Sequence, residues 1–171
     1  MKVINLFGSS GAGKSTIASG LFYKMKLNGY KVELVTEFAK GLIYEERKIC
    51  LEDQFYVTGV QNHYIHRLRN KVDFVITDSP ILLGVLYEPD DYPNSFKQFI
   101  IDMFLTYDNF NIFLNRRFKF DNNGRRESEL ESDNLSIELK NMLLTNHIEF
   151  YEFDGDVTVL DKIYELIIKT L

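Results

Sequence analysis

Gly8-Ser9-Ser10-Gly11-Ala12-Gly13-Lys14-Ser15 follows directly on the apolar run Val3-Ile4-Asn5-Leu6-Phe7 and opens a stretch with helical apolar spacing at Ile17, Leu21 and Met25. A strand, a glycine-rich turn and a helix in that order make a phosphate-binding loop in its required context, which commits the chain to an α/β architecture. Glycines let successive backbone N–H groups turn inward around phosphates, and the positive end of the following helix faces the same anions. Lys14 then reaches the β- and γ-phosphates of a nucleotide such as ATP. The Ser15 hydroxyl is a hard oxygen ligand suited to Mg2+, and Thr16 is placed to touch the α-phosphate. Gly8, Ser9, Ser10, Gly11, Ala12, Gly13, Lys14, Ser15 and Thr16 are therefore the candidate nucleotide-binding residues. The competing reading is a turn that merely joins strand to helix.

Four further apolar runs read as strands, at 32–35, 74–77, 112–114 and 148–153, and helical material separates each from the next. Such alternation predicts a parallel sheet covered by helices on both faces. Helical spacing is clearest over 16–27, 53–69, 94–106 and 160–171, the last striped by Leu160, Ile163, Tyr164, Ile167 and Leu171. A further helix is expected over 132–146.

The chain has 171 residues and 45% hydrophobic content, enough to enclose a core as one domain spanning 1–171. A formal net charge of -5 and a pI near 5.3 exclude a global positive field that would draw it to nucleic acid or an anionic membrane. Cys50 is the only cysteine, which excludes an intrachain disulfide and fits a reducing compartment. The first strand begins at residue 3, leaving no room for a signal peptide, and no apolar run approaches a membrane span. The expectation is a cytoplasmic protein without membrane contact.

In open α/β sheets ligands lie beyond the carboxyl ends of the strands, and two acids stand there. Phe74-Val75-Ile76-Thr77-Asp78 is a hydrophobic strand ending in a carboxylate that can hold Mg2+ through water if this strand neighbours the first. Alternatively, Asp78 caps the Ser79-Pro80 turn. Glu37 ends the second strand, where a carboxylate can take the proton from an attacking hydroxyl or align it; the alternative is a cap on the following helix. Phe38 beside it offers an apolar wall.

Within 53–69, Val57, Val60, Tyr64 and Leu68 have core spacing, and Gln54, Thr58, Gln61 and Ile65 form the adjacent stripe. Gln61 can read the edge of a base or amide, and Tyr56 or Tyr64 can stack on a ring, with core packing the competing role for each aromatic. His63 and His66 lack a third metal ligand. Asn70-Lys71-Val72-Asp73 spells a guanine-reading tetrad but follows a helix instead of a strand, and no Asp-x-x-Gly switch follows the third strand, so a GTPase is rejected.

Residues 116–126 are basic through Arg116, Arg117, Lys119, Arg125 and Arg126, and acids follow at Glu127, Glu129, Glu131 and Asp133. After the fourth strand, such a loop is expected to form a lid at about 116–130 that brings guanidinium groups to a transferring phosphoryl. A solvated loop paired with its acidic neighbour is the alternative.

These residues together resemble small P-loop nucleoside and nucleotide kinases, most closely the ribosylnicotinamide kinase domain of NadR-type proteins and related phage-encoded kinases. The likeness runs from Gly8–Thr16 through Thr36-Glu37-Phe38-Ala39-Lys40, Asp73–Ser79, Leu114-Asn115-Arg116 and Gly124-Arg125-Arg126 to Ile148–Gly155. The resemblance implies a three-layer P-loop NTPase kinase fold, with a five-stranded parallel sheet in the order 2-3-1-4-5. It also implies ATP- and Mg2+-dependent transfer of the γ-phosphate to a hydroxyl or phosphate of a nucleoside-like small molecule. By that likeness Glu37 and Asp78 serve the acceptor hydroxyl and Mg2+, in either order, and Arg116, Arg125 and Arg126 are lid arginines; Lys14 completes the expected catalytic set, and Ser15 and Asp78 are the expected Mg2+ ligands. Phe38, Gln61 and Tyr64 are the expected acceptor contacts. The adenylyltransferase domain that NadR-type proteins carry is not expected within residues 1–171. Two other functions compete. One is a kinase of 5-hydroxymethyluracil in DNA, with His63, His66, Arg67, Arg69 and Lys71 tracking the backbone. The other is an ATP-hydrolysing regulatory or assembly module whose homo-oligomerisation depends on nucleotide.

Overall fold

Strand β1 (Lys2–Phe7) is covered on both faces, and this is why its sequence is mostly apolar instead of alternating. It pairs in parallel with β3 (Phe74–Thr77) on one side and β4 (Asp108–Arg116) on the other. Outside them lie β2 (Val32–Val35) and β5 (Tyr151–Gly155), giving the order β2-β3-β1-β4-β5 with every pairing parallel. The computed structural model describes residues 1–117, 128–156 and 158–170. Lys119, Arg125, Arg126 and Glu127, with most of the lid expected at 116–130, lie outside the described residues.

The helices in chain order are α1 (Lys14–Leu27), α2 (Phe38–Tyr44), α3 (Lys48–Glu52), α4 (Gln54–His66), α5 (Ser95–Leu105), α6 (Glu129–Thr145) and α7 (Val159–Lys169), with a 3-10 helix at Ile81–Val85. Side chains alternate across a strand, so β1 sends Ile4 and Leu6 one way and Val3 and Phe7 the other. Ile4 and Leu6 join Ile17, Leu21 and Met25 of α1 and Ile163 and Ile167 of α7. Val3 and Phe7 join Ile65 of α4, Ile100 and Phe104 of α5, and Leu139 and Leu143 of α6. The result is the three-layer α/β sandwich.

Asn5 is the polar exception inside β1, 1% exposed and on the Val3 face. Its amide nitrogen donates to Asn109 Oδ1 at 2.9 Å and Asn111 Oδ1 at 3.0 Å, while Asn111 Nδ2 donates to the Glu149 carbonyl at 2.9 Å. Buried amides are tolerated only when so satisfied, and here they pin the β1–β4 register.

These asparagines also interrupt the apolar pattern, so β4 extends well beyond the 112–114 core that its sequence suggests. Strand β5 begins at Tyr151, not at residue 148, because Ile148 N–H bonds back to the Leu143 carbonyl and closes α6. Helix α6 starts at Glu129, not 132. Ser128 accepts from Glu131 N–H while the Glu131 carboxylate accepts from Ser128 N–H, a capping box. Helix α4 ends at His66, short of 69, and Asn70 follows with φ 61°. Helices α2 and α3 bury only Leu42 between them, so they carry no apolar period to read.

Strand β5 ends under the phosphate-binding loop. A Cβ added at Gly155 would fall 2.3 Å from the Ala12 carbonyl oxygen and 3.1 Å from that of Asn115, both backbone atoms that cannot turn aside. Gly155→Ala is therefore expected to cost about 2–3 kcal/mol and to weaken nucleotide binding in parallel. Thermal unfolding and nucleotide calorimetry on the one variant check this, and an unchanged melting temperature would refute it.

Candidate active site

The loop from Gly8 to Gly13 takes backbone angles that side chains disfavour, with φ 138° at Gly8, 82° at Gly11 and 89° at Gly13. Gly13 is the N-cap of α1 and supplies no side chain to its first-turn N–H groups, which leaves them for an anion. At Gly8 a Cβ would also meet the Leu114 carbonyl oxygen at 2.4 Å, so the loop rests directly on β4. Lys14 curls over it, Nζ donating to the Gly8 carbonyl at 2.8 Å and the Ser9 carbonyl at 3.0 Å. Ser132 Oγ donates to the Ser10 carbonyl at 3.3 Å and ties α6 to the loop.

From this loop a cleft of ≈ 600 Å³ runs past the carboxyl ends of β2 and β3. One end is walled by Gly8–Gly11, Gly13–Thr16 and by Ser132, Leu135 and Leu139 of α6; the other by α2, α3, α4 and the 3-10 helix. Asp78 and Glu37 line it together with Ser15.

Asp78 is 4% exposed, and its Oδ1 has no hydrogen-bond partner among the described residues. The Ser79 N–H donates to Thr77 Oγ1 at 3.1 Å, so the turn that Asp78 was an alternative candidate to cap is satisfied without it. Burying an unpaired carboxylate oxygen is costly unless a cation or water meets it. With the Ser15 hydroxyl on the same cleft, the donor set is hard oxygen and fits Mg2+. Among the described residues no group of three or more His, Cys, Asp or Glu is placed to cage a metal. Mg2+ needs no such cage, because phosphates and water complete its shell.

Glu37 stands at the N-cap position of α2 yet makes no side-chain cap bond. The N–H of Phe38, the first residue of α2, donates to Gln61 Oε1 at 3.0 Å. Gln61, 3% exposed, spends its other amide atoms on the Thr36 carbonyl at 3.3 Å and Thr77 Oγ1 at 3.4 Å. It lines the cleft but serves as a tie between β2, β3 and α4. Phe38 and Tyr64 are turned away from the cleft: Phe38 meets Tyr56 and Tyr64 edge-on at 5.5 and 6.0 Å, and Arg67 lies over the Tyr64 ring. The aromatic wall expected of them is supplied by aliphatic residues, including Ile43, Leu51, Ile81 and Leu86, together with Tyr87.

Arg116 is drawn toward α6, pairing with Asp133 and, at 3.4 Å, with Glu129, so its described contacts lie beside the cleft and not in it. Arg117 pairs with Asp154 at 2.8 Å; the ion pair raises the guanidinium pKa and lowers that of the carboxyl. Sequence reasoning missed Gln54 and Thr58 as lining residues, although they share the i, i+4, i+7 stripe of Gln61. Ser132 gave no signal at all, since its role depends on where α6 docks.

A family model described as an AAA domain matches residues 3–158. Among solved structures, deoxyadenosine kinase from M. mycoides is similar. Its form with the products dCMP and a flexible dCDP has a TM-score of 0.56 at 22% identity, covering 99% of this chain and 98% of that one. The form with bound dATP has a TM-score of 0.56 at 20% identity with the same coverage. No curated protein matches the chain. The structural likeness shows a shared P-loop kinase fold, in agreement with the 2-3-1-4-5 sheet. Among the described residues no helix is long and apolar enough to cross a membrane.

Proposed function

This chain belongs to the AAA-domain family, and from that premise we propose that it is an ATP- and Mg2+-dependent kinase of a nucleoside-like small molecule. One observation carries the reading: a single cleft joins a phosphate-binding loop to a roomy apolar chamber, with Asp78 and Glu37 both on its wall. Backbone N–H groups of Gly11 to Lys14 and the Lys14 amine grip the β- and γ-phosphates. Ser15 and Asp78 would hold Mg2+, which supplies charge neutralisation on the phosphate oxygens when bound. Glu37 orients the acceptor hydroxyl and takes its proton as the new bond to phosphorus forms. Arg116 is held beside the cleft by Glu129 and Asp133, and Arg125 and Arg126 are proposed to meet the transferring phosphoryl.

A small acceptor is favoured over DNA. His66 ends α4 and Arg67, Arg69 and Lys71 follow it, and none of them lines the cleft. Arg69 is moreover engaged with Thr106 at 3.2 Å and lies over the Tyr107 ring. A backbone held there would not deliver a base to the γ-phosphate.

The test is incubation with γ-labelled ATP and a panel of deoxyadenosine, other nucleosides, nucleotides, ribosylnicotinamide and DNA containing 5-hydroxymethyluracil. Label is expected in a small molecule. Label appearing only as free phosphate, or only in DNA, would overturn the proposal. On the substrate so found, Glu37→Gln should lower kcat by roughly 10²-fold or more while ATP affinity holds within about twofold. Equal losses in both would instead mark Glu37 as structural.

A further inference from the structure

We propose that the outer face of α6 is a self-association surface, by which two copies of this chain pair through a short parallel coiled coil. Helix α6 carries apolar residues on two opposite sides. Leu139 and Leu143 face the core together with Ser132, whereas Leu130, Ile137 and Leu144 stand on the far side, 71%, 62% and 58% exposed. Asn134 and Asn141 lie between them on that far side, and both are exposed. Leu130, Asn134, Ile137, Asn141 and Leu144 thus recur at alternating steps of four and three residues, the repeat of a coiled-coil seam with branched aliphatics at d and asparagine at a. A surface helix that only had to cover its own domain would be polar there.

The composition of the seam selects a second copy as its occupant. An asparagine set against hydrocarbon loses water without gaining a partner. In a parallel pair with a two-fold axis along the seam, each asparagine meets its own equivalent, and each amide nitrogen donates to the opposite oxygen. An antiparallel pair, or an unrelated apolar helix, would leave the amides facing aliphatic side chains. A membrane surface is excluded because the seam is flanked by the acids Glu131 and Glu138 and not by basic residues. Asp133, which would approach Glu138 of a second copy, is already matched by Arg116, and Lys140 is held by Glu152 at 2.6 Å. From Leu130 to Leu144 the seam runs about 21 Å at about 1.5 Å per residue. A helix pair of that length falls short of the roughly 1,200–2,000 Å² that a stable interface buries, so the dimer is weak and reversible. The opposite side of α6 lines the nucleotide cleft with Ser132, Leu135 and Leu139, so pairing leaves that cleft open and stands independently of the kinase reading.

Sedimentation velocity on the full chain tests this. Wild type should pass from monomer to dimer with a midpoint of about 10–100 μM. Raising the salt should tighten the pairing, because it screens the formal charge of -5 that each copy carries. Ile137→Lys should stay monomeric at every concentration and melt no lower than monomeric wild type, since the position is exposed. Asn141→Leu should tighten association by roughly tenfold and admit species beyond the dimer, because a register-fixing amide is gone. Orientation is read by oxidative cross-linking and mass spectrometry in a Cys50→Ser background. Asn134→Cys in that background should link to itself, and a mixture with Asn141→Cys should give no bond between positions 134 and 141. Wild type that stays monomeric throughout, Ile137→Lys that associates as wild type does, or cross-links found only between 134 and 141 would each overturn the proposal.

Discussion

Lys14→Ala is expected to lower phosphoryl transfer by about 10³-fold in single-turnover assays while the protein stays folded. Charge spreads over the equatorial oxygens of the transferring group, and a fixed ammonium facing them stabilises that state more than the bound ground state. In the structure the amine already lies across the loop on the Gly8 and Ser9 carbonyls, so it needs little rearrangement to meet a phosphate. Losing those two bonds should cost about 1 kcal/mol. Lys14→Arg should not rescue activity, because a planar guanidinium does not fit where a compact ammonium does. Transfer within tenfold of wild type in Lys14→Ala would count heavily against the proposed chemistry.

Asp78→Asn should separate stability from function in the opposite sense to an ordinary buried mutation. The carboxylate is buried with one oxygen unpartnered, so neutralising it removes a desolvated charge, and the nucleotide-free protein should melt no lower than wild type. Activity should fall by roughly 10²-fold, because the hard oxygen that would help to hold Mg2+ is exchanged for a neutral amide. The informative measurement is the melting shift on adding ATP with and without Mg2+. At saturating ligand, about 100 times Kd, binding stabilises the native state by about 2.7 kcal/mol, and the Mg2+-dependent part should vanish in the variant. A lower melting point with the Mg2+-dependent shift intact would make Asp78 a structural residue.

Much of this was legible in the sequence where local pattern and chemistry coincide. The loop from Gly8 to Ser15 needs glycines for its backbone angles, and its motif carries that requirement openly. Strands β1 and β3 are mainly apolar because helices cover both their faces. Legibility failed where a residue's partner lies far along the chain. Asn109 and Asn111 look like strand breakers until Asn5 is beside them. Gln61 looks like a free reading edge until β2 and β3 converge on it. Phe38 and Tyr64 have the chemistry of an acceptor wall but pack against each other, away from the cleft. Arg116 is basic in the right place, yet α6 brings two acids to it. In each case the side chain's type was readable and its orientation was not, because orientation is set by tertiary neighbours.

The contact between Gly155 and Ala12 has a consequence for assembly. The motif is synthesised long before the strand whose glycine lies against the Ala12 carbonyl. A nascent chain synthesised as far as α6 would carry the signature without the finished cradle, so affinity for triphosphate should emerge late, together with the docking of the sheet's far edge.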